Sequence, residues 1–221
     1  MKRVCLLFCL FFALHAQAQE GEEYTVNADS MNAAIDLVTE ANQLFEQGNH
    51  ARAINLCDEA IRKAVTFRDA YVIRHKAYEA GGSSTQLIID NLLAAQKISL
   101  EDEELAYYLA NTYQNTKRLK EAAEQYTHAI NYSSTDPAVS PIRYSYFFNR
   151  ANCYLKQRQY AKAIPDYTQT LELNPDYVGA LVNRGFSYYN TKEKDKACAD
   201  WKKAQSLGNK QVGQYMKQYC N

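Results

Sequence analysis

Proline and glycine are scarce in this sequence, at 4 and 8 of 221 residues. Without breakers at short intervals a turn-rich β fold is disfavoured and helices are favoured. Net charge is missing too, because 25 basic residues balance 25 acidic ones. No overall field steers the chain toward nucleic acid or an anionic membrane. Histidine is thin: beyond the N-terminal segment only His50, His75 and His128 remain, far apart and without Cys or carboxylate at metal-ligand spacing. A Gly-rich phosphate loop, a nucleophile elbow and a zinc signature are all lacking. The acidic run Glu101-Asp102-Glu103-Glu104 stands at a helix start, where it complements the helix dipole. No catalytic constellation emerges, and no metal or cofactor is expected.

Long apolar runs are also lacking, except for one. Val4 to Leu14 follows Lys2 and Arg3 and precedes Ala16-Gln17-Ala18. That order describes a secretory signal peptide over 1–18, cut after Ala18. The run is short for a membrane span. Cys5 and Cys9 fall within it and would leave with it. The expected product is soluble and exported, to a bacterial periplasm or beyond, in a compartment where disulfides persist. Residues 19–33 read as a polar leader.

What is present is a repeat. Ala151, Tyr154, Ala163, Tyr167 and Leu173 recur 34 residues later as Gly185, Tyr188, Ala197, Trp201 and Leu207. Extended backwards, the period gives five units over 34–67, 68–102, 103–136, 144–177 and 178–211. A small slot in the first half of each unit holds Ala41, Ala110, Ala151 and Gly185, with His75 as the exception in the second unit. Leu44, Tyr78, Tyr113, Tyr154 and Tyr188 follow three residues later. The second half carries Ala53, Ala122, Ala163 and Ala197, with Leu87 as the exception. It continues with Cys57, Asn91, Tyr126, Tyr167 and Trp201, then Ala60, Ala94, Ala129, Thr170 and Ala204. Spacings of three and four put these residues on one helical face. Small residues let two helices approach, and the aromatics fill the space beside them. Residues 137–143 exceed the normal turn by about seven residues, and Ser140-Pro141 is placed to cap a lengthened helix. This stretch is either a tolerated insertion or a lip on a binding surface.

The pattern resembles the tetratricopeptide repeat over roughly Ala34 to Asn209. The resemblance implies an all-α, right-handed superhelical solenoid of five helix pairs, closed by a C-terminal cap over 210–221. It also implies that the first helix of each unit lines a concave wall. By slot, that wall should expose Tyr107, Tyr108, Asn111, Asn115, Phe148, Asn149, Asn152, Asn183, Phe186, Tyr189 and Asn190. Aromatics beside carboxamides can grip apolar side chains and hydrogen-bond an extended backbone. Family members that clamp a chaperone's C-terminal carboxylate use Lys or Arg in wall slots that hold Ser145, Asn149, Gly179 and Asn183 here.

Three units carry an Arg with an Asp sixteen residues on: Arg74 with Asp90, Arg150 with Asp166 and Arg184 with Asp200. The two units lacking one partner lack both, which suggests contact across each helix pair. Past the array, Gly208 breaks the last helix between Cys198 and Cys220. Helical arms of about 15 and 18 Å would bring those sulfurs together in a hairpin, so a disulfide is expected. Cys57 fills a core slot.

The expected function is a non-catalytic protein-interaction scaffold of the cell envelope, binding a peptide partner in the groove of units three to five. A glycan or peptidoglycan ligand stacked on Tyr and Phe is the alternative, followed by an accessory role in an envelope enzyme complex.

Overall fold

The computed structural model describes residues 27–220, and the signal-peptide segment lies outside them. The described residues form eleven helices and no strand. They pair as α1 (Ala28–Glu46) with α2 (His50–Lys63), and α3 (Arg68–Ala80) with α4 (Thr85–Ile98). Next come α5 (Glu103–Asn115) with α6 (Leu119–Tyr132), and α7 (Arg143–Lys156) with α8 (Tyr160–Leu173). The series ends with α9 (Val178–Asn190), α10 (Lys194–Ser206) and α11 (Val212–Tyr219). Each second helix packs on its own partner and on the first helix of the next hairpin, so the core runs along the array.

Local chemistry fixes the ends. Asn27 caps α1 by accepting from Ser30 N at 2.7 Å, and Asp102 caps α5 by accepting from Glu104 N and Leu105 N at 3.0 Å. α1 therefore begins at Ala28, six residues before the first unit of the sequence reading, and takes in the end of the expected leader. Four of the five hairpin turns have three residues, with the middle one in the left-handed region: Gly48, Lys117, Arg158 and Lys192. There the helix ends in paired bonds such as Gly48 N to Phe45 O and Asn49 N to Leu44 O.

The second hairpin departs from this plan and corrects the sequence reading. Its turn, 81–84, has four residues. One extra residue shifts the whole of α4 by one position. The buried slots therefore hold Ile88, Leu92 and Ala95, while Leu87 lies exposed. The gapless alignment had placed Leu87, Asn91 and Ala94 there. Read with the shift, the second unit regains a large residue, Leu92, and a small one, Ala95, in the last two slots, while the first, alanine in the other four units, holds Ile88.

The link from α6 to α7 is ten residues, 133–142, against four at the other joints between hairpins. Ser140 and Pro141 do not cap α7, which starts at Arg143 after Ile142. Instead Ser140 is buried and donates to Glu103 Oε1 at 3.2 Å. The Arg143 guanidinium donates to the carbonyls of Ile130 and Ser133, at 2.7 and 2.8 Å, and so caps the C-terminus of α6.

Candidate functional site

The first helices α1, α3, α5, α7 and α9 present a common face at matched slots. Val38, Thr39 and Asn42 of α1 stand 34 residues before Val72, Ile73 and Lys76 of α3, and these stand 35 before Tyr107, Tyr108 and Asn111 of α5. At the N-terminal half this face is an open groove of about 520 Å³. Ile35, Val38, Phe67, Val72 and Ile73 supply its apolar lining, and Thr39, Asn42, Gln43, Lys76 and Glu104 its polar rim. A volume of that size suits one or two side chains of a ligand. The Arg68 guanidinium at its edge is held by Asp102 and Glu104, and by Asp69 at 3.2 Å. The sequence reading passed over this groove, although the period pointed to it through the same slots that gave Tyr107 and Asn111.

The wall residues named from sequence divide in two. Phe186, Tyr189, Asn115 and Asn190 are exposed. Tyr107, Tyr108 and Phe148 are half-buried, not open, because neighbouring hairpins bring aromatics against them. The Tyr107 ring lies 5.1 Å from Tyr146, Tyr108 lies 4.6 Å from His75, and Phe148 lies 4.8 Å from Tyr177. The Tyr108 hydroxyl also donates to Glu104 at 2.7 Å. Asn111, Asn149, Asn152 and Asn183 are half-buried. Tyr126 donates to Asn111 Oδ1 and Tyr167 to Asn152 Oδ1, both at 2.7 Å, and Asn183 Nδ2 donates to Asn152 Oδ1 at 2.9 Å. Burial pushes both phenols well above their ordinary pKa, so they remain donors.

Two arginines make bidentate pairs on the same helices. Arg150 meets Asp166 through two bonds of 2.7 Å, and Arg184 meets Asp200 through two of 2.8 Å. Each also reaches back to the preceding hairpin, Arg150 to Thr127 at 3.0 Å and Arg184 to Thr168 at 3.1 Å. The expected Arg74–Asp90 pair is absent, and the four-residue turn is the reason. The shift of α4 puts Asn91, not Asp90, in the Asp slot, and Asn91 Oδ1 accepts from Arg74 Nε at 2.7 Å. Arg74 takes its carboxylate from Asp58 on α2, the slot that holds Thr127 and Thr168 in later hairpins. Asp90 faces outward and accepts from Gln86.

At the C-terminal end, Val212 stands 34 residues after Val178, so α11 takes the first-helix place of a sixth unit and stops after eight residues. Cys198 and Cys220 are joined by a disulfide that ties it to α10. Its Tyr219 ring sits 4.3 Å from that of Tyr189.

Reactive chemistry is muted. Burial pushes the Cys57 thiol up to about 12 and Cys153 up to about 11, which keeps both protonated and inert. Among the described residues no group of three His, Cys, Asp or Glu could hold a metal, and no helix is long and apolar enough to cross a membrane.

Comparison with known proteins follows the same lines. The tetratricopeptide repeat family is matched over residues 144–177 and again over 104–136. DnaJ homolog subfamily C member 3 of Mus musculus is 24% identical over 232 residues, covering 86% of this chain and 45% of its own length. The Hsp70/Hsp90 co-chaperone CNS1 of Saccharomyces cerevisiae is 25% identical over 142 residues, covering 64% of this chain and 35% of its own. The chain thus spans less than half the length of these curated relatives. Among solved structures, YrrB, described as a TPR protein with an unusual peptide-binding site, superposes with a TM-score of 0.70 at 19% identity. That match covers 84% of this chain and 92% of YrrB.

Proposed function

This chain is a tetratricopeptide-repeat protein, and on that premise we propose that it is a non-catalytic scaffold that holds an extended peptide segment of a protein partner against its concave wall. The observation that carries this reading is the continuous first-helix face, with an apolar groove at one end and exposed aromatics and carboxamides at the other. Tyr and Phe supply area at small entropic cost, and the carboxamides answer a peptide backbone. The peptide-binding site of YrrB, on a solenoid of the same fold, supports the assignment by analogy. The N-terminal segment read as a signal peptide, together with a disulfide at the other end, favours a place in the bacterial envelope.

A test uses the secreted, oxidised protein against a random decapeptide library and, in parallel, a glycan array. Saturable peptide capture that falls at least tenfold in Phe148→Ala/Tyr189→Ala is the expected result. Glycan binding without peptide capture would replace this reading with the carbohydrate one. Capture untouched by the double change would move the contact out of units four and five.

A further inference from the structure

Among the described residues, the outer face of α4 is unlike that of the other second helices. Leu87 is 50% exposed and Leu93 39%, and Leu100, just past the helix end, is 73% exposed. The slot of Leu87 holds Arg52, Glu121, Lys162 or Lys196 in α2, α6, α8 and α10. The slots of Leu93 and Ala94 are likewise polar in all four. Steps of three and four put Leu87, Asp90, Ala94 and Lys97 on one side of the helix, opposite the buried Ile88, Leu92 and Ala95. Leucines left in water together form a patch, which is different from scattered surface leucines. The two ends of the patch differ in shape. Asp90, Leu93, Ala94, Gln96, Lys97 and Leu100 line an open groove of about 500 Å³ at the C-terminal half of α4. Leu87 stands exposed at the N-terminal half, outside that groove. Asp90 accepts from Gln86 at 2.7 Å. Neither Asp90 nor Lys97 has an ion pair among the described residues.

We propose that this face binds a second copy of the chain, α4 against α4 in antiparallel order about a two-fold axis. With the axis between Leu93 and Ala94, Leu87 of one copy meets Leu100 of the other, Asp90 meets Lys97, and Leu93 meets Ala94. Each position of the patch then finds its complement on the same patch, as a two-fold contact requires. Leu87 of each copy enters the groove beside Leu100 of the other. The small Ala94 lets the helices approach at the axis, and two Asp–Lys contacts flank it. A parallel pairing would set Asp90 on Asp90 and Lys97 on Lys97, which charge repulsion opposes. One helix from each copy makes a small contact, so the dimer belongs to the weak class, with a Kd on the order of 10–100 μM. The patch shares no residue with the N-terminal groove on the first helices, so a dimer presents two such grooves.

Sedimentation velocity of the oxidised protein, from about 1 μM to about 1 mM, is the test. Wild type should pass from monomer to dimer across that range. Leu87→Glu and Leu93→Glu change exposed sites, so circular dichroism should stay helical while association weakens by about tenfold or more in each. Charge reversal then tests the register. Asp90→Lys sets lysine against Lys97 of the other copy, and Lys97→Asp sets aspartate against Asp90. Each should weaken self-association by about fivefold. Mixed in equal amounts, the two variants should recover wild-type association as a heterodimer, because every lysine then faces an aspartate. If a Glu variant does not fold, the charge-reversal pair decides. A wild type that stays monomeric throughout would overturn the proposal and leave the patch to a different partner. A dimer indifferent to both Glu changes would overturn it as well. Loss in the Glu variants without recovery in the mixture would overturn the antiparallel pairing. Peptide capture enters none of these readouts, so a failure here leaves the groove reading untouched.

Discussion

His75 stands where the first, third and fourth hairpins place alanine and the last places glycine. It is buried, and neither ring nitrogen has a hydrogen bond. Burial lowers its pKa from 6.5 to about 4. Glu79 on its own helix lies 3.6 Å from Nε2, Lys76 is its neighbour in sequence, and Tyr108 and Glu104 face it from α5. A base with a depressed folded pKa is neutral in both states above pH 6.5. Below that, the unfolded chain takes the proton first, so its stabilising contribution is lost as pH falls from 6.5 to 4, by ~3 kcal/mol in all. Burial raises the Glu79 pKa, which works in the opposite sense. Urea midpoints of wild type and His75→Ala should therefore converge or diverge steadily across that window, with the wild type losing more on acidification; parallel curves would remove His75 as the cause. Gly185 offers a second test. A Cβ there would come within 2.6 Å of Trp201 Nε1. Gly185→Ala should cost about 1–3 kcal/mol by overpacking. Adding Trp201→Tyr recreates the Ala151–Tyr167 pair of the fourth hairpin and should recover most of that loss; additive losses in a urea titration would contradict this.

Among the elements, α4 and α11 show what the pattern conveys and what it conceals. The apolar faces of the hairpin helices other than α4 are readable from spacings of three and four. The phase of α4 is not, because an extra residue in a turn leaves no mark on composition. A one-residue slip turns the sequence by about 100° around a helix of 3.6 residues per turn. That is enough to carry Asp90 outward and to bring Asn91 in. α11 has a single buried residue, Val212, and relies on its crosslink and on stacking with Tyr189 and Trp201. Closing a loop over a separation of 22 residues is worth about 3 kcal/mol. Cys198→Ser/Cys220→Ser should lower stability by about that amount, and α11 amides should exchange much faster than those of α9. Unchanged protection of α11 would show that packing alone holds it.

At the scale of the whole molecule, the hairpins are joined by pairs that cross from one to the next. Arg74 reaches Asp58, Arg150 reaches Thr127 and Arg184 reaches Thr168. A mutation in one of these should be felt mainly at its own joint, since each unit touches only its neighbours. The concave wall is a property of this stacking. Asn152 meets Asn183 only because two hairpins adjoin, and Tyr107, Tyr108 and Phe148 are partly covered for the same reason. The amino-acid sequence by itself determined the helical pairs, their period and the small and large residues that fill the core, because each depends on neighbours three or four positions away on one helix. Which carboxylate Arg74 uses, which aromatics stay open and where the N-terminal groove lies were decided only by the tertiary structure. Those outcomes depend on the relative phase of helices from different hairpins, and that phase is set by turn length and by the side chains pressed between them.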